Sequence, residues 1–199
     1  LFGIQEASRH VRPDGKTDLQ ILRELYLRLV GDEQVEQVLP RLAERYLKYL
    51  PEEVQRSVAQ GTYRVLPGVR DTLNWLQMQS GVVLGLATGN LEQGARIKLE
   101  PADLWTPFQG GGFGSDSEDR VQLLWAAVRK LSPEQDPDEV WIVGDTPRDI
   151  WAARRAGYRV VAVASGRYTL EDLERFEPDL LLASLEIFPE VFAQRKTAA

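Results

Sequence analysis

Residues 139–157 read EVWIVGDTPRDIWAARRAG, an apolar run that meets a glycine and an aspartate and then turns into a helical pattern. Val140, Trp141, Ile142 and Val143 have the continuous apolar character of a strand covered on both faces. Gly144 and Asp145 end the run, and Pro147 sits where the first position of a helix accepts proline, whose missing N–H is no loss there. Ile150, Ala153 and Gly157 complete a short helix closed by a glycine C-cap. The pattern puts Asp145 at a strand's carboxyl end and Asp149 four residues further on, so two carboxylates flank one strand-to-helix turn. In a parallel α/β sheet that edge is where ligands bind, and hard oxygen ligands placed there point to a divalent cation such as Mg²⁺. A purely structural reading competes. Thr146 and Asp149 have the spacing of a capping box, in which the threonine caps the helix and the acid reaches back to a free N–H. That reading accounts for both residues but not for Asp145 or for Gly144.

The 199 residues, 43% hydrophobic and 27% charged, suffice for one core and a smaller satellite domain. A net charge of −6 is spread over mixed-sign sequence without an acidic tail or a basic block, which argues against a nucleic-acid or anionic-membrane partner. No apolar run approaches the ~18 residues of a membrane-spanning helix. The lack of cysteine excludes disulfides, thiolate catalysis and cysteine-ligated metal, and fits a soluble protein of the reducing cytoplasm. His10, beside Arg9 and Arg12, is the only histidine, so a histidine-based triad or zinc cluster is not expected. The sequence starts at Leu1 and its only methionine is Met78, so an upstream start is expected.

Residues 1–64 carry helical periodicity and no strand signal. Leu22, Leu25, Tyr26 and Leu29 share one face of a helix that begins near Asp18. Val35, Val38, Leu39, Leu42, Tyr46 and Tyr49 form a second stripe, which Pro40 is expected to kink or to split. The region reads as a small helical bundle. From residue 66 helices and strands alternate: Val69, Leu73 and Leu76 form one helix face, and residues 82–87 form a short buried strand that ends in Thr88-Gly89-Asn90. A helix follows towards Leu99, so the amides of Gly89 and Asn90 suit a phosphate cradle, while a strand end at Thr88 and a helix cap at Asn90 explain the same residues equally well.

Residues 108–114 (FQGGGFG) read as a short strand entering a glycine-rich turn, too acidic at Asp116, Glu118 and Asp119 to hold a pyrophosphate. Arg120 then opens a helix with Val121, Leu124, Val128 and Leu131 on its buried face. A cation there opposes the helix dipole, which suits an anion site; a solvated arginine beside Asp116 and Asp119 is the structural alternative. Strands over 159–163 and 180–182, and a capped helix from Thr169, complete the pattern.

Taken together, residues 84–90 (LGLATGN), 113–120 (FGSDSEDR) and 143–149 (VGDTPRD) resemble the haloacid dehalogenase superfamily, and within it the phosphoglycolate-phosphatase-like hydrolases. The resemblance implies an α/β fold: a Rossmann-like parallel sheet core over 65–199 with a helical cap domain over 1–64. It implies a Mg²⁺-dependent phosphatase that acts on a small phosphorylated metabolite through an aspartyl-phosphate intermediate, as a monomer or homodimer. Thr88, with Gly89 and Asn90, would hold the phosphoryl group, Arg120 would neutralise it, and Asp145 and Asp149 would hold the metal directly or through water. Lysine is the commoner residue at the Arg120 position, and arginine changes the reach and geometry of the charge.

Members of the superfamily also carry an Asp-x-Asp-x-Thr/Ser motif on a first strand ahead of the cap, and this sequence contains none. The expectation is therefore a truncated, inactive chain whose core lacks its first strand, the strand the resemblance sets between those ending at Thr88 and Asp145. Carbon–halogen hydrolysis, which needs no metal, and a non-catalytic binding or regulatory role are the rival readings. Arg12, Lys16, Thr17 and Asp18 are candidates to face substrate from the cap, or to be only solvated turn residues.

Overall fold

The computed structural model describes residues 11, 15–31 and 34–196; His10, Arg9 and Arg12 lie outside them. Thr17 caps the first helix, α1 (Asp18–Leu29), through a capping box with Gln20. Leu22 and Tyr26 turn inward from it onto Val35, Val38 and Leu42 of α2 (Val35–Ala59). Pro40 neither splits nor ends α2, which runs continuously through Pro40 and Pro51. Leu39, Leu42, Leu50 and Val54 keep its apolar stripe buried on both sides of the prolines, and that burial outweighs the lost backbone bonds.

The remaining elements alternate: α3 (Val69–Gln77), β1 (Leu86–Thr88), α4 (Glu92–Leu99), β2 (Gly111–Phe113), α5 (Arg120–Leu131), β3 (Trp141–Gly144), α6 (Pro147–Ala156), β4 (Arg159–Val163), α7 (Leu170–Glu174), β5 (Leu180–Leu182) and α8 (Phe188–Lys196). All strand pairings are parallel. β4 lies between β3 and β5, and its side chains alternate between two covers. Val160 and Ala162 pack on α6 and α7 through Ile150, Ala153 and Leu173. Val161 and Val163 pack on the opposite layer with Leu182, Phe188, Trp75 and Leu76. A sheet covered on both faces is what a near-continuous apolar strand demands. The sequence reading assigns no element to α8, although Phe188, Val191 and Phe192 have helical spacing. The Phe188 and Phe192 rings stack at 4.9 Å, and Trp141 of β3 meets Phe192 edge-on at 5.1 Å.

β1 and β2 form a second sheet, in register Leu86↔Gly111, Ala87↔Gly112 and Thr88↔Phe113. Two local expectations change here. The strand expected over 82–87 is confined to Leu86–Thr88, so Thr88 is its last member. The glycine cluster expected to be a turn is itself β2: a Cβ on Gly111 would fall 2.3 Å from the Leu86 carbonyl oxygen, and one on Gly112 2.0 Å from that of Leu123. Only glycine lets the strand lie this close to both β1 and α5.

Among the described residues β1 and β3 are not paired. The two strands nevertheless meet one cluster, where Ala87 and Ile142 pack against Val121, Leu124 and Ala152 of α5 and α6. The expectation of a strand buried on both faces therefore fails at β3, where Val143 is 46% exposed. Among the described residues it has a hydrogen-bonded neighbour on the β4 side only.

Candidate functional site

Asp145 directly follows β3, and Thr146 caps α6. The capping box is complete: the Asp149 N–H donates to Thr146 Oγ1, while Asp149 Oδ2 accepts from the Thr146 backbone N–H at 3.1 Å and from its hydroxyl at 2.7 Å. The other oxygen of Asp149, Oδ1, accepts from Arg120 Nη2 at the first position of α5. Asp149 thus serves the cap and an ion pair at once, and both of its oxygens are engaged. Gly144 makes room for it, since a Cβ there would come within 2.4 Å of Asp149 Cβ.

Arg120 is the cation the sequence pattern singled out, but its partner is Asp149; Asp116 pairs with Lys130 at 2.8 Å and Asp119 caps α5. Asp145 is half-buried. Burial first, and then the neighbouring Asp149 charge, push its carboxyl above the usual aspartate range, against the pull of Arg120. A carboxylate held under these conditions gains from a bound cation, which would reverse the shift. The loop after β4 closes over it, with Asp145 Oδ2 only 2.2 Å from where a Cβ on Gly166 would stand. Gly166, in the loop that follows β4, is a contact that no local sequence pattern announces.

The donor set suits Mg²⁺ in one respect: that ion commonly takes one or two carboxylates and fills its shell with water and substrate oxygens. Asp145 has oxygen to offer, whereas Asp149 stands behind it, already bonded. No group of three or more His, Cys, Asp or Glu side chains placed to hold a metal occurs among the described residues.

Thr88 ends β1, and its Oγ1 accepts the Asn90 N–H at 3.2 Å. The Asn90 amide is therefore not the free donor expected of a cradle. Nor does Asn90 cap α4, since the N-cap is Leu91 and no side chain of its own bonds there. The cap comes from elsewhere: Asp18 Oδ2 accepts the Leu91 N–H at 2.8 Å, and Asp18 Oδ1 accepts from Asn90 Nδ2 at 3.1 Å. Of the residues considered for substrate contact, Thr17 and Asp18 are buried and engaged and Lys16 pairs with Glu24.

The same short segment joins the strand-end loops. The Gly15 carbonyl accepts from Arg148 beyond β3, and the Lys16 carbonyl oxygen lies 2.8 Å from a Cβ position on Gly89 beyond β1. Gly15 and Lys16 are consecutive residues, so these two loops share one end of the molecule. From α1, Arg23 pairs with Glu118 at 2.6 Å in the loop that precedes Arg120.

Parallel strands, helices on both faces of the β3–β5 sheet and a carboxylate just past the end of β3 define an α/β protein with a polar strand-end site. A sequence family described as HAD-hydrolase-like matches residues 121–187. The phosphoglycolate phosphatase of Escherichia coli (strain K12) is 31% identical over 160 residues, covering 78% of this chain and 58% of that protein. Phosphoglycolate phosphatase 1 of Pseudomonas aeruginosa is 28% identical, covering 78% and 54%. The chain thus spans about half the length of the curated relatives it matches. In fold it is similar to a hydrolase from Pseudomonas syringae, with a TM-score of 0.63 at 24% identity over 92% of this chain and 80% of that one. Residues 121–187 thus carry the pattern of that family, and the chain is similar in sequence and in fold to haloacid dehalogenase-like hydrolases.

Proposed function

We propose that the protein is a magnesium-dependent phosphohydrolase of small phosphomonoesters, with the metal at Asp145 and the phosphoryl group between Thr88 and Arg120. The reading is carried by the cluster of Asp145, Asp149 and Arg120: an acid under charge stress at a strand's end, beside a second acid tied to a guanidinium. Bound Mg²⁺ supplies the charge compensation that lets a dianionic phosphate sit among carboxylates. Asp145 offers it oxygen, and Asp149 orients Arg120 while standing one layer back. The Thr88 hydroxyl accepts from Asn90 and so keeps its own proton for a phosphoryl oxygen. Residues 1–64 act as a cap that excludes water from the cleft. Charge distribution and the lack of cysteine support a small metabolite as partner, a cytoplasmic setting, and neither nucleic acid nor membrane.

The reading also needs a carboxylate nucleophile, and residues 1–199 contain no Asp-x-Asp-x-Thr/Ser motif to supply it. The open edges of β1 and β3, both resting on α5, suit an extended segment that bears that motif. By this reading residues 1–199 alone do not turn over. The test is hydrolysis of phosphoglycolate, the substrate in the relatives' names, and of p-nitrophenyl phosphate, with and without such a segment ahead of residue 1. Turnover is expected only with the segment, only with Mg²⁺, and at least ~10²-fold lower in Arg120→Ala. A rate of ~1 s⁻¹ or more from residues 1–199 alone rules out the missing nucleophile. Full activity in EDTA rules out the metal, whereas halide release from a haloacid in EDTA, with no phosphate release from either ester, favours carbon–halogen hydrolysis.

A further inference from the structure

Asp18 is a buried carboxylate, 6% exposed, whose position its own helix does not explain, because Thr17 and Gln20 already form the capping box of α1. Its bonds go to other elements. Besides the Asn90 side chain and the Leu91 N–H, the Tyr46 hydroxyl of α2 approaches at 3.4 Å and Lys98 Nζ of α4 at 3.9 Å, while the Asp18 N–H donates to the Gly89 carbonyl at 2.8 Å. Burial pushes the Lys98 amine down against the pull of Asp18, and pushes the Tyr46 phenol up. Every polar group facing this carboxylate is thus a donor. The contacts leave no slack: a Cβ on Gly89 would stand 3.0 Å from Thr17 Cα, and one on Gly94 would stand 3.4 Å from Asp18 Oδ2.

From this arrangement we infer that Asp18 is a positioning residue for the strand-end loop 88–91, holding that loop in shape from the helical region. The loop has one internal side-chain tie, Asn90 N–H to Thr88 Oγ1, and its helix lacks a cap of its own. Asp18 supplies both the cap and the anchor for the Asn90 side chain, so α1 must be docked for the loop to be formed. Docking of residues 15–29 and ordering of the loop are then one event. The inference rests on the phosphoryl-binding reading of Thr88 only for its consequence in ligand binding, not for the contact itself.

Amide hydrogen exchange by NMR on residues 1–199 tests the contact. In Asp18→Ala both acceptor oxygens are gone, so the Leu91 N–H and Asn90 Nδ2 lose their partner. Exchange at Leu91 is expected to accelerate at least ~10-fold while Val161 and Ala162 in β4 stay within ~2-fold. The double variant Asp18→Asn with Asn90→Asp restores donor to acceptor within the same cluster and is expected to return Leu91 protection to within ~3-fold. Unchanged exchange at Leu91 in the single variant overturns the inference. So does failure of the double variant to restore protection, and this second arm still decides the matter if the single variant unfolds. A titration with inorganic phosphate followed at Gly89 and Asn90 separates the two readings. No response in the unmodified chain removes the phosphoryl role of the loop, and the exchange data still decide the role of Asp18.

Discussion

Asp145 carries the sharpest consequence at the scale of the residue. Its carboxyl is raised because burial and Asp149 disfavour the charged form, so the folded chain holds a proton there that the unfolded chain releases. Stability from this group is present below its ordinary value of 3.8 and falls as pH rises through the raised folded value. Asp145→Asn should therefore raise the melting temperature of the metal-free chain at neutral pH, with the gain vanishing as pH approaches 3.8. Any Mg²⁺-induced rise in melting temperature should disappear in the same variant, as thermal melts at two pH values with and without Mg²⁺ would reveal. Lower stability of Asp145→Asn at neutral pH removes the strain argument. The positions of Asp145 just past a strand and of Arg120 at a helix start were legible, because an apolar run and a helical pattern fix both ends locally. The double duty of Asp149 was legible only as two competing readings, and the structure satisfies the capping box while adding Arg120. The contacts of Asp18 were not legible, because nothing local to residue 18 shows that they reach Tyr46 and the loop beyond residue 88.

Elements fared according to what fixes them. β4, β5, α3 and α6 fell where apolar runs and caps placed them, because burial and capping act within the window that sequence displays. As the start of a new helix Pro40 misleads, because a proline's cost is local while the compensating burial along α2 is not. The glycines of β2 mislead for the complementary reason: their conformational freedom suggests a turn, whereas their missing side chains are what the packing requires. Gly112→Ala tests this account. With the Leu123 carbonyl oxygen 2.0 Å from the new Cβ, α5 and β2 must move apart, and the chain should lose about 1–3 kcal/mol in denaturant melts. An alanine at Gly157, where a Cβ meets nothing within 4 Å, controls for the entropy of losing a glycine, although its φ of +83° adds a strain of its own. Equal losses at the two sites contradict the close-packing explanation.

For the whole molecule, α5 is what joins the two sheets where the strands do not. The parallel α/β character was legible from alternation alone, while the split between sheets depends on which neighbours each strand finds. On the far layer, Trp75 of α3 and Trp141 of β3 both touch the aromatic rings of α8: Trp75 lies 6.3 Å from Phe188 and Trp141 lies 5.1 Å from Phe192. Trp125 and Trp151 are already 41% and 51% exposed, and Trp105, 6.2 Å from the Phe113 ring of β2, is replaced by Phe in the background used for this reading. The α8 contact therefore gives the protein its own optical gauge. Release of that helix should red-shift the emission of Trp75 and Trp141, and Phe192→Ala should do so before the far-ultraviolet helical signal is lost. A spectrum that shifts only together with the helical signal would mean that α8 and the β3–β5 sheet come apart as one unit. Either way, light emitted from one face reports when α8 lets go.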